Sequence, residues 1–153
     1  RTTAILVLAA PVIGAAKAAV RRFQERIDDH FLVAPASVQR NDPAAGYRLA
    51  ESTAEIRAAE LLLYDAAARL DHLGGVEEVD PVINASIIRD CGWGVRALAN
   101  AVDRLYEASG ANAMRADEPI QRLWRDVNAA RSHAILTWDH AANTYSRALL
   151  DSI

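Results

Sequence analysis

Apolar residues recur at three- and four-residue steps along most of this chain. Ile5, Leu8, Ala9, Val12, Ile13, Ala16, Val20, Phe23 and Ile27 form one such series, with Lys17, Arg21, Arg22, Glu25 and Asp28 on the other side. That spacing predicts an amphipathic first helix, because side chains three and four positions apart share a face. Pro11 is expected to kink it or to mark a late start, since proline lacks a backbone donor and collides with the preceding turn. Pro35, Ser37, Asn41, Asp42 and Pro43 mark residues 31–45 as a loop. Leu49, Ser52, Ile56, Ala59, Leu63, Ala66, Ala67 and Leu70 then predict a second helix from Tyr47 to Leu73. Gly74-Gly75 should end it, because glycine readily takes the left-handed geometry of a C-cap.

Asp80-Pro81 is a start signal, an N-cap acceptor followed by proline in the first helical position. The third helix that follows should bury Ile83, Ile87, Cys91, Val95, Leu98, Val102 and Leu105 and close at Gly110. Gly92 and Gly94 inside it each weaken helix propensity by about 1 kcal/mol, which points to close packing at those positions. Asp117 is expected to cap a fourth helix with Pro119 in its first turn and Ile120, Leu123, Trp124 and Val127 on one side. A break near Ser132 to Leu136 precedes a last helical run through Trp138, Ala142, Tyr145 and Leu149. No segment alternates with period two between turn signals, so no strand is expected. The fold class is all-α, an antiparallel four-helix bundle with long helices and short loops.

Composition narrows the function classes. With 153 residues, 52% hydrophobic and 24% charged, the chain is one ordinary domain (residues 1–153) rather than a disordered or low-complexity segment. Its lone cysteine, Cys91, excludes an internal disulfide and a cysteine-type zinc site, and fits a reducing, cytoplasmic setting. A net charge of -3, with no basic run longer than Arg21-Arg22, gives no electrostatic reason to bind nucleic acid. The uncharged stretch Thr2 to Ala16 resembles a secretory leader, but Pro11 and Gly14 interrupt it and its apolar spacing continues past Lys17. At 15 residues it also falls short of the roughly 20 needed to span a bilayer, so no membrane partner is expected. The chain opens on Arg1 and its only methionine is Met114, so it is expected to be part of something longer.

A helical bundle invites a di-iron centre, which needs Glu-x-x-His pairs projecting inward. None of His30, His72, His133 or His140 has a carboxylate three residues before it. GxGxxG, GxxxxGK[ST] and GxSxG are absent, and no two histidines stand at i, i+4, so phosphate-loop, hydrolase and metal readings lapse.

The C-terminal third carries more. Ser109-Gly110-Ala111, Glu118 to Val127 (EPIQRLWRDV), Ser132-His133, Thr137-Trp138-Asp139 and Tyr145 to Leu150 (YSRALL) stand in a recognisable order. With Tyr47 to Glu51, Ile56 and Ala58-Ala59, they resemble the C-terminal helical domain of the acyl-CoA dehydrogenase superfamily. The likeness is strongest to the oxygenase components of two-component flavin-dependent monooxygenases, whose N-terminal helical and middle β-domains have no counterpart here. The resemblance implies hydroxylation of an aromatic, polycyclic or polyketide-like substrate with dioxygen. It also implies reduced FMN or FAD supplied by a separate flavin reductase, and a homo-oligomer, dimer or tetramer. The isolated chain is expected to hold no flavin and to be inactive, because much of the pocket belongs to the other domains.

Two chemistries divide the superfamily. The dehydrogenases it resembles carry a catalytic glutamate nine residues after the arginine of an Arg-Asp pair; counted from Arg125, that position is Ala134, which cannot act as a base. The monooxygenases are similar to this chain in having a histidine one residue earlier, His133, which the resemblance makes the catalytic candidate. Imidazole suits proton transfer or hydrogen-bond donation near neutral pH. Taken alone, His133 reads more readily as a satisfied, partly buried structural histidine. The resemblance assigns Ser109, Gly110 and Ala111 to flavin phosphate, where small residues let backbone amides approach an anion; an ordinary C-cap is the other reading. Arg125 and Asp126 read as structural, each seeking a partner on another helix, since neighbours in sequence do not face each other on a helix. Trp124 and Trp138 read as packing anchors, Cys91 as a small buried hydrophobe and His72 as a side chain drawn to the negative end of its helix. An acyl-CoA dehydrogenase with its base elsewhere and a non-catalytic helical oligomerisation module remain the alternatives.

Overall fold

The computed structural model describes residues 2–29, 31–32, 37–74 and 79–153, with Pro35 and Gly75 outside the described residues. Five helices follow one another: α1 Thr2–Asp29, α2 Pro43–His72, α3 Pro81–Ala108, α4 Pro119–Arg131 and α5 Trp138–Asp151. The structure is the expected helical bundle, and α3 is its axis, packed against each of the other four helices.

Side-chain pairs fix the directions. Thr2 Oγ1 meets Asn84 Oδ1 at 2.7 Å and Arg26 Nε reaches the Ser109 carbonyl at 2.9 Å, so α1 and α3 run parallel. Ser52 Oγ donates to the Ala101 carbonyl at 3.3 Å, and Arg69 Nη1 donates to Ser86 Oγ at 2.9 Å, so α2 runs the other way. The fourth limb also runs opposite to α3 and is split: α4 pairs Trp124 with Tyr106, and α5 places Trp138 by Arg96 and Tyr145 by Arg89. The split falls at residues 132–137, where the sequence places it.

The core lies where the periodicity puts it. Ile87, Cys91, Val95, Leu98, Val102 and Leu105 of α3 are fully buried, as are Ala9, Ala16 and Phe23 of α1. Burying each large apolar side chain contributes about 1.5–3 kcal/mol. Ile83, at 44% exposed, Leu8 and Leu149 belong to the predicted stripes but stand at their open edges. Gly92 and Gly94 mark close packing, as expected: a Cβ on Gly94 would lie 3.0 Å from Leu63 Cγ, and one on Gly92 would collide with Ala141 Cβ.

Several local expectations are corrected. The helix α1 runs through Pro11, which excludes a late start; Pro11 and Val7, whose carbonyl loses its donor, are both exposed, so water can serve that carbonyl. The helix α2 begins at Pro43, not Tyr47, because Asp42 accepts from the Ala44 amide at 3.0 Å and Pro43 takes the first helical position. Within the predicted loop, Phe31–Leu32 (β1) pairs antiparallel with Ser37–Val38 (β2), too short a ladder to show period two in the sequence. Gly74 does not adopt left-handed geometry; Gly110, at φ 72°, is the one described glycine with positive φ. The cap of α4 is Glu118, not Asp117, whose carboxylate is held by Arg115 at 2.8 Å and so lies below its ordinary pKa.

Among the described residues, α1 is the one helix long and apolar enough to cross a membrane, a length the 15-residue count understates. Its Ile5, Ala9, Val12, Ala16 and Phe23 are nonetheless buried in the bundle.

Candidate functional site

Two segments carry the candidate residues. The first is the turn between α4 and α5. The helix α4 stops at Arg131, Ser132 caps it, and His133 follows with an exposed side chain. The His133 amide donates to the Ala130 carbonyl at 3.1 Å, and its own carbonyl accepts from the Leu136 and Thr137 amides at 2.8 and 3.1 Å. Leu136, 1% exposed, plugs the turn into the core. The imidazole is therefore solvent-facing while its backbone is bonded on both sides, which is not the arrangement of a histidine consumed by core packing.

One carboxylate ties the end of α4 to α3. Asp103 Oδ1 accepts from Trp124 Nε1 at 2.7 Å and from Asn128 Nδ2 at 2.9 Å, and Oδ2 accepts from Arg131 Nη1 at 3.0 Å. Trp124 stacks on Tyr106 with centroids 4.7 Å apart. Trp124 is thus the packing anchor the sequence suggests. Asp103 carried no motif and was missed; only the fold shows that three donors from α4 converge on it. Arg125 is exposed and makes no ion pair among the described residues, while Asp126 faces Arg122 of its own helix at 3.8 Å. Neither finds the partner on another helix that was expected.

The second segment closes α3. Ser109 is fully buried and its hydroxyl donates back to the Leu105 carbonyl at 2.8 Å, so the hydroxyl is turned into its own helix. Arg26 of α1 and Gln39 donate to the Ser109 and Ala108 carbonyls at 2.9 and 2.7 Å, holding the helix end in place. Gly110 and Ala111 are exposed, and the Ala111 and Asn112 amides donate to no backbone carbonyl. Nothing lies within 4 Å of where a Gly110 Cβ would be. An anion can reach this backbone; it cannot reach the Ser109 hydroxyl as placed.

Among the described residues no hydrogen bond joins these two segments. The Leu136 and Thr137 carbonyls lie 3.7 and 3.6 Å from where a Gly92 Cβ would be, and Gly92 precedes Ser109 by 17 residues on the same helix. At 1.5 Å per residue that puts the start of α5 roughly 25 Å from the end of α3, with His133 nearer, since Arg131, two residues before it, reaches Asp103, six residues before Ser109.

Elsewhere, Cys91 is buried beside Asp90, and burial pushes its thiol up to about 12, so it is the inert hydrophobe expected. His72 Nδ1 meets the Ala68 carbonyl at 2.7 Å in the last turn of α2, again as expected. Trp138 is half-buried and, with Trp93, Ala58, Leu62, Arg89 and Asp90, lines an open apolar groove of about 370 Å³. No cluster of metal-ligating side chains occurs among the described residues.

A helical bundle built on a central helix, with its last limb split in two, is the architecture of a known class. The chain belongs to the acyl-CoA dehydrogenase C-terminal domain family, matching it over residues 6–138. It is 33% identical over 129 residues to the flavin-dependent monooxygenase oxygenase subunit HsaA of Mycobacterium tuberculosis, covering 83% of this chain and 33% of that protein. It is 27% identical over 155 residues to the FADH(2)-dependent resorcinol hydroxylase oxygenase component of a Rhizobium species, covering 94% and 37%. Among solved structures, XiaF from Streptomyces in complex with FADH2 and glycerol superposes with a TM-score of 0.87 at 25% identity, covering 98% of this chain and 38% of that one. The chain spans about a third of the length of the curated relatives it matches.

Proposed function

We propose that this domain belongs to the oxygenase component of a flavin-dependent monooxygenase that hydroxylates an aromatic or polycyclic substrate with dioxygen. The observation that carries the reading is the α4–α5 turn, where His133 is exposed on a bonded backbone and Ala134 stands where a dehydrogenase would need its base. The names of the relatives support the same class. Bound reduced flavin would supply the electrons that activate dioxygen. His133 then acts as the catalytic residue, donating a hydrogen bond or taking the substrate's phenolic proton at its imidazole nitrogen.

We assign Ser109, Gly110 and Ala111 to the flavin phosphate in a divided form. The exposed Gly110–Ala111 backbone makes the contact and buried Ser109 anchors it. The flavin, FMN or FAD, comes from a separate reductase. Among the described residues no hydrogen bond joins this loop to the His133 turn, and we propose that a second copy of the chain supplies one of the two segments. The apolar outer face of α1 and α2, with Val7 at 65% and Tyr64 at 60% exposed, offers a surface for that self-association. We place the enzyme in the cytoplasm. Light scattering should show the chain as a dimer or larger, and a clean monomer at high concentration refutes the shared pocket.

The test of function uses the full-length protein with reduced flavin. His133→Ala should lower the ratio of hydroxylated product to hydrogen peroxide by about 10²–10⁴-fold, the usual worth of a placed proton-transfer group, while reductant is still consumed. An unchanged ratio at equal folded protein makes His133 structural. Thioester oxidation would instead identify a dehydrogenase, and no flavin affinity a helical module. The isolated chain should bind no flavin at micromolar concentration in calorimetry, since a half-pocket leaves most of the ligand uncovered.

A further inference from the structure

We infer that Asp103 is a positioning residue for His133, an inference that rests on the function proposed above. The turn holding His133 has no helix of its own, so its placement depends on what holds its two ends. Downstream, buried Leu136 and the tight passage of Ala141 over Gly92 fix the start of α5. Upstream, the last turn of α4 has Val127 facing the core, while Asn128 and Arg131 lie along its edge. That end is held by Asp103, whose two oxygens accept from Trp124, Asn128 and Arg131. Arg131 also donates to Asn128 Oδ1, and Asn128 Nδ2 to the Trp124 carbonyl at 3.0 Å, so the three donors brace one another. Arg131 stands two residues before His133. Charge-assisted bonds to a carboxylate are about twice as strong as neutral ones, and removing their common acceptor takes one bond from each of three donors at once and leaves Trp124 Nε1 with no partner among the described residues. The network sets where α4 ends, and through the hydrogen bonds on either side of His133 it sets where the imidazole projects.

The experiment compares Asp103→Asn, His133→Ala and the double variant in the full-length protein. Asp103→Asn should lower the product-to-peroxide ratio about tenfold and leave the KM for substrate within twofold. In the His133→Ala background the same change should have no further effect, because a residue acting through His133 loses its influence when His133 is gone. A second readout uses this 153-residue chain without flavin: hydrogen exchange at the Leu136 and Thr137 amides should quicken about tenfold in Asp103→Asn, with Leu63 of α2 unchanged. Arg131→Gln, which leaves the Trp124 and Asn128 bonds in place, serves if Asp103→Asn does not fold, and should show the same pattern more weakly. If His133→Ala leaves the ratio unchanged, His133 is structural and the catalytic role on which this inference rests fails. If His133→Ala lowers it but Asp103→Asn does not, or the two losses multiply, Asp103 is not a positioning residue.

Discussion

Gly92→Ala adds a single methyl group, and the geometry at the α3–α5 crossing decides its sign. An alanine is worth about 1 kcal/mol more than a glycine inside a helix. At Gly14 of α1, where nothing lies within 4 Å of the new Cβ, that gain should appear as a stabilisation of about 0.5–1 kcal/mol. At Gly92 the new Cβ collides with the Cβ of Ala141, an atom attached directly to the α5 backbone, so relief requires a shift of the whole helix. Overpacking of that kind costs about 1–3 kcal/mol, and with no flexible side chain to give way the upper half of the range applies. Subtracting the propensity gain leaves a net loss of about 1–2 kcal/mol, or about 3–6 °C in Tm for a domain of this size. Urea unfolding of both variants measures this directly, provided the slope with denaturant stays constant. The paired change Gly92→Ala with Ala141→Gly moves the methyl across the crossing, and should recover at least about 1 kcal/mol relative to the sum of the single changes. If Gly92→Ala stabilises the chain as Gly14→Ala does, the helices are not in contact there and the placement of α5 is wrong.

Further outcomes follow from buried titratable groups. The Lys17 ammonium, hydrogen-bonded to Glu60 and helped by Arg57, holds the Glu60 carboxyl below its ordinary value near 4.5 against the opposing effect of burial. A carboxyl lowered on folding adds stability above its unfolded value and loses it as pH falls through the folded one. The stability gap between wild type and Lys17→Met should therefore narrow below about pH 4.5; a gap constant to strongly acid pH overturns the pairing. Cys91, pushed up to about 12 by burial, should be silent to a thiol reagent at pH 8 in the folded chain and react fully in denaturant; rapid labelling of native protein would show the packing around α3 to be open.

Local chemistry was legible in the sequence wherever one short stretch decides the outcome. Asp80-Pro81 starts α3 because the aspartate accepts from the Val82 and Ile83 amides two and three residues on, and no distant residue is needed. The same signal at Asp42-Pro43 starts α2; it was readable but was overridden by the density of turn residues around it. Periodicity likewise placed Ile87, Cys91, Val95, Leu98, Val102 and Leu105 in the core, since a helix face is a property of spacing. The identity of His133 as a candidate came from the family resemblance that the motifs along the chain carry.

Its environment did not. That Asp103, 30 residues away, holds the end of α4 follows from α4 running antiparallel to α3, which brings three donors to one carboxylate. Asp117 was read as a cap because the sequence does not reveal that Arg115 claims its carboxylate first. The Ser109 hydroxyl looked available to an anion until burial at the end of α3 turned it onto Leu105. The glycine pair in α3 announced close packing, but only the tertiary structure named Ala141 and Leu63 as what fills the space. Hydrogen-bond partners and clashes are set by distances between segments far apart in the chain, and those distances exist only once the helices have packed.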